Sequence, residues 1–74
     1  MRTIEIRPST KAIGSWEVCE GGGAQPAFDD QEGAIRYAKQ RFYNGDAGEI
    51  HVFDLAAENI VQMISFDGSK RYGQ

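Results

Sequence analysis

Cys19 and His51 are the only thiol and the only imidazole in the chain. A thiolate beside an imidazole is the smallest set of groups that can begin nucleophilic catalysis. Such a pair also needs a third group to orient the base, an oxyanion site and a pocket around them. Strand parity allows Cys19 and His51 to share one face of a sheet, but a flat sheet on a small domain offers little concavity. The plainer reading is a half-buried strand thiol and a surface histidine. As metal ligands the two have no further sulfur or imidazole to join them, and no CxxC or HxxxH spacing is present. No catalytic residue, metal or cofactor is therefore expected.

Other residue groups have similarly plain explanations. Gly21-Gly22-Gly23 offers amides to an anion, but it lacks the Lys-Ser/Thr ending of a P-loop and no helix follows it at once. It reads as a connection. Arg36, Lys39 and Arg41, with Lys70 and Arg71, could form a basic stripe for nucleic acid, with Tyr37 and Tyr43 stacking on bases. Phosphate binding needs clustered positive charge. Here Asp29, Asp30 and Glu32 share the segment, and eleven acidic residues against eight basic give a net charge of −3. A solvated helix face fits that balance better. The three acids stand where a helix begins, so capping and the helix dipole account for them.

The elements that must position these residues are set by hydropathy. Thr3 to Arg7 alternates, with Ile4 and Ile6 to one side, and Pro8 ends the run. A connection from Ser9 to Gly14 leads to a second strand, Ser15 to Glu20, with Trp16 and Val18 inward and Glu17 and Cys19 outward. Ala24 to Phe28 is a candidate third strand, held to an edge by Pro26. Ala34, Ile35, Ala38 and Phe42 recur at steps of three and four, which predicts a helix from Asp30 to about Tyr43. Asp29 with Glu32 matches an Asx capping box, and Asn44-Gly45 supplies a left-handed stop. After a loop over Asp46-Ala47-Gly48, Glu49 to Asp54 forms a strand with Ile50 and Val52 inward. Leu55 to Asn59 turns the chain, and Ile60 to Phe66 is the last strand. There Ile60, Ile64 and Phe66 are expected on one side, with Val61 and Met63 on the other. Asp67-Gly68 is a turn signal, and 69–74 is expected to fray.

These faces predict an α+β fold in the order ββ(β)αββ, an antiparallel sheet of four or five strands with one helix on one side. Residues 1–68 form a single domain, with Trp16 in its core under Phe42 and Ile35. At 74 residues one core supplies only about 3–5 kcal/mol of net stability, so a second stabilising device is expected. With one cysteine that device is not a disulfide, and a lone thiol suits a reducing, cytoplasmic setting. No apolar run reaches membrane-span length and no signal peptide opens the chain. Oligomerisation remains the obvious device. The sheet face away from the helix carries Phe53, Val61 and Met63, with Cys19 and His51, among its charged residues. Such an apolar cluster commonly marks a contact surface.

The order of motifs also resembles a known family. Gly14-Ser15-Trp16-Glu17-Val18 gives G-x-W-x-V. After a glycine-rich break, Phe28-Asp29 with Ala34-Ile35 and Ala38 gives F-D-x-x-x-x-A-I-x-x-A. Glu49-Ile50-His51-Val52 gives E-I-x-V, and the strand from Ile60 to Phe66 closes the series. This arrangement resembles domain-of-unknown-function family twenty-one eighty-eight, a family of short bacterial proteins, over nearly the whole chain. The family pattern often has a glycine in the last hairpin, where this chain has Ala56-Ala57-Glu58-Asn59. The resemblance implies a compact α+β fold and a bacterial or phage origin, and it brings no activity. The expected role is a small interaction or accessory module, a homo-oligomer or the partner of another protein, with contact residues Phe53, Val61, Met63, His51 and Cys19. Nucleic-acid binding through Arg36, Lys39 and Arg41 is the alternative.

Overall fold

The computed structural model describes residues 2–21, 26–42 and 47–68. Within them the order of elements is β1 (Arg2–Pro8), β2 (Trp16–Cys19), β3 (Ala27–Phe28), α1 (Gln31–Gln40), β4 (Ala47–Phe53) and β5 (Ile60–Asp67). The five strands form one sheet in the order β3-β2-β1-β4-β5. Of the candidate edge strand Ala24 to Phe28 only Ala27–Phe28 is β3, Pro26 preceding it, while 22–25, Asn44-Gly45, Asp46 and the tail 69–74 lie outside the described residues.

The sheet is mixed, not antiparallel throughout. β1 pairs antiparallel with β2, and β2 with β3, so β3 runs in the direction of β1. The helix then returns the chain across the sheet, and β4 enters beside β1 and parallel to it, Ile4 opposite Ile50 and Ile6 opposite Val52. A strand–helix–strand crossover delivers parallel strands, whereas a hairpin delivers antiparallel ones. Periodicity alone does not distinguish the two.

Ile4, Ile6, Val18, Ile50 and Val52 from the strands meet Ala34 and Ala38 from α1 and Phe42 just beyond it, all buried. Trp16 is half-buried against this cluster, not enclosed in it, as are Phe28, Ile35, Tyr37, Ile64 and Phe66. The Phe28 and Tyr37 rings tilt together at 5.2 Å between centroids.

Three expected boundaries shift. The helix cap is Asp30, not Asp29: its Oδ1 accepts from the Gly33 amide at 2.7 Å. The helix ends at Gln40, because Arg41 and Phe42 turn tightly, their amides donating to the Ala38 and Lys39 carbonyls. β4 begins at Ala47, so Ala47 and Gly48 belong to the sheet and not to a loop.

A clamp of side chains holds that end of the helix. Arg2 donates to both Glu20 carboxylate oxygens at 2.7 and 3.0 Å and to the Arg41 carbonyl at 2.7 Å, and Arg41 Nε donates to Glu20 at 3.0 Å. The Arg2 guanidinium lies over the Phe42 ring, which stacks on Phe66 at 4.4 Å between centroids.

Candidate functional site

The sheet face away from α1 is built in rows by strand pairing. One row runs Cys19, Glu5, His51, Met63 across β2, β1, β4 and β5. Beside it Glu17 faces Arg7, and on the other side Thr3, Glu49 and Ser65 align. Cys19 and His51 thus share a face as parity predicts, but β1 separates them. Two strand spacings amount to roughly 10 Å, far outside hydrogen-bond reach.

Each member of that pair is occupied otherwise. His51 Nε2 lies 2.8 Å from Glu49 Oε1. Burial pushes the Cys19 thiol above its ordinary value, and the neighbouring Glu17 adds to the rise. An activated nucleophile needs the opposite shift. The groove beside Cys19, about 400 Å³ and open to solvent, is lined by Glu5, Arg7, Thr10 and Glu17 among others. Among the described residues no group of three or more His, Cys, Asp or Glu side chains is placed to hold a metal ion.

Charge also covers part of the expected apolar cluster. The Arg7 guanidinium sits 4.6 Å over the Phe53 ring and bonds to Glu5 at 3.0 Å. Phe53, His51 and Cys19 are consequently half-buried. Val61 and Met63 are not, at 60% and 52% exposed. The structure therefore divides the five expected contact residues, three under a charged network and two open on β5.

Sequence reasoning missed two neighbours of that open pair. Leu55, in the β4–β5 turn, is 81% exposed. Ile60 was expected toward the core, but a bulge between Val52 and Phe53 shifts the register so that Ile60 falls opposite Phe53. It stands on the face away from the helix and is exposed. A bulge inserts one residue and resets parity beyond it, which alternation alone does not reveal. Leu55 did leave a signal, an aliphatic residue in a turn with no alternating partner.

On its other face β5 is not covered by the helix either. α1 packs over β1, β2, β3 and β4, and makes no approach to β5. Among the described residues, the Phe42–Phe66 stack meets that strand from the helix side, and Ile64 packs against the core there. Of the exposed large apolar residues, Leu55, Ile60, Val61 and Met63 lie on β5 or in the turn before it, and Ile13 lies in the β1–β2 connection.

On the helix, Arg36 and Lys39 are exposed and share a shallow hollow with Glu32 and Ile35. Arg41 is bonded to Glu20. Tyr43, Lys70 and Arg71 lie outside the described residues. Among the described residues, the cations of the expected stripe that stand together are Arg36 and Lys39, beside a glutamate. No helix among the described residues is long and apolar enough to cross a membrane. In comparisons with known proteins, no family model, no curated protein and no solved structure matches the chain.

Proposed function

We propose that this chain is a small non-catalytic interaction module that self-associates along the β5 margin of its sheet. One observation carries the reading: β5 leaves Ile60, Val61 and Met63 exposed, with Leu55 exposed in the adjoining turn. Large exposed aliphatic groups gathered along one margin are a usual mark of a docking surface. A second copy covering them would also supply the extra stability that a core this small lacks.

Light scattering after gel filtration tests the reading. The chain should run above monomer mass at micromolar concentration and dissociate on dilution. Met63→Lys should weaken the association at least about tenfold, or about 1.4 kcal/mol. Its helical circular dichroism should stay unchanged, because Met63 contributes nothing to the core. A monomer throughout the concentration range would refute self-association. Arg36 and Lys39 give no comparable support to nucleic-acid binding, because Glu32 lies in the same hollow.

A further inference from the structure

We infer that the occupant of the β5 margin is β5 of a second copy, added antiparallel about a two-fold axis at Ile64 to make one continuous sheet. The inference rests on the self-association reading and chooses strand addition over face-to-face contact.

The two edges of the sheet differ in kind. β3 is two residues long and follows directly on Pro26, so it offers little to an incoming strand. β5 is eight residues long and, among the described residues, pairs with β4 alone. Natural sheets guard such edges with lysine, proline or inward charges. From Ile60 to Phe66 the sequence is IVQMISF, which contains no charge, proline or glycine. The bulge is a guard of a kind, but it lies at the hairpin end and leaves Gln62 to Asp67 in regular register with β4.

Symmetry and parity then fix the arrangement. Residues directly opposite in an antiparallel pair share a face, so a two-fold axis must pass through a residue and not between residues. Of the two residues at the middle of the regular stretch 62–67, apolar Ile64 is the better centre, since centring on Ser65 would set Asp67 against the partner subunit's Met63. Ile64 meets its own copy on the helix side. Gln62 then meets the partner subunit's Phe66, and Met63 meets the partner subunit's Ser65 on the open side. Asp67, the only charged residue of β5, falls opposite the partner subunit's Val61, so no like charges oppose each other. The two helices would then flank a trough over the joined strands, where α1 leaves half-buried Ile64 uncovered.

Cross-linking tests the register in a Cys19→Ser background. Met63→Cys and Ser65→Cys chains, mixed and oxidised mildly, should form a disulfide heterodimer in high yield, because directly opposed Cα atoms lie within disulfide range. Either variant alone should cross-link poorly, its copies being diagonal at roughly 7–8 Å. Ser65→Lys, on the exposed side, should weaken the dimer at least tenfold in sedimentation. A dimer whose mixed variants cross-link no better than the single ones would overturn strand addition and leave self-association by another face. A monomer at about 1 mM would overturn both.

Discussion

At position 48, where β4 passes β1, a methyl group built on the backbone would run into the Arg2 carbonyl and come within 2.6 Å of Phe42 Cε1. The carbonyl belongs to the neighbouring strand, and the ring is fixed between the Arg2 guanidinium and Phe66. Neither can give way cheaply, so Gly48→Ala should cost about 2–3 kcal/mol, the upper range for overpacking. Thermal unfolding would measure it, and an unchanged melting temperature would mean that the close approach constrains nothing. Ala57 presents the reverse case. It sits at φ +58 in the β4–β5 turn, a left-handed conformation that a methyl group disfavours. The turn tolerates it because Asp54 Oδ1 accepts from the Ala56 and Glu58 amides, and the Asp54 carbonyl accepts from Ala57. Ala57→Gly should raise stability by about 0.5–1 kcal/mol, the relief of strain exceeding glycine's extra freedom when unfolded. Denaturant titration reads this gain directly, and a loss would show that the strain is negligible.

Elements were legible where a repeating pattern marked them and illegible where a single residue decided. The helix start is the sharpest example. Asp29 and Asp30 are adjacent, and each has a residue three positions on whose amide it can accept from. Only the geometry selects Asp30, whose backbone is extended at φ −140 while its carboxylate reaches Gly33. Asp30→Ala should therefore cost about 1 kcal/mol and Asp29→Ala only a few tenths. Equal losses in the two variants, measured by thermal melts, would return the cap to a shared role. The inward faces of β1, β2 and β4 followed from alternation, because period two survives whichever way a neighbour runs. For the same reason alternation was blind to the parallel pairing of β1 with β4, which the helix crossover decides. On β5 it placed Met63 and Ile64 correctly and failed at Ile60, beyond the bulge. The exposed apolar residues of the proposed contact surface were half-legible in the same way. Val61 and Met63 stood out as apolar residues facing away from the helix. That Arg7 covers Phe53, and that α1 ends its reach at β4, depend on packing between distant segments.

For the molecule as a whole, the tie among the start of β1, the end of β2 and the end of the helix is electrostatic. Arg2 opens β1, Glu20 follows β2 and Arg41 closes the helix, so one carboxylate joins three segments far apart in sequence. Hydrogen bonds from Arg2, and then from Arg41, hold the Glu20 carboxyl below the usual glutamate range. A carboxyl whose value is lowered on folding stabilises the fold fully above its unfolded value, and that stabilisation is lost as pH falls through the folded one. The chain should therefore hold its stability from neutral pH into the ordinary glutamate range and lose part of it in more acid solution. Asp54 adds to the same trend, its carboxyl held low chiefly by the Glu58 amide. Glu20→Gln separates the two contributions. At neutral pH it should cost about 1 kcal/mol, in keeping with a partly exposed ion-pair network. Its stability should then fall less steeply in acid than that of the native chain, because the Glu20 contribution is gone and that of Asp54 remains. Raising ionic strength should narrow the neutral-pH gap between the two chains, since salt screens partly exposed charges. Melting curves from neutral to acid pH, at low and high salt, would measure both effects. Parallel pH profiles for native chain and variant would mean that the clamp holds by shape alone, with the Arg2 guanidinium seated on Phe42 and its charge incidental.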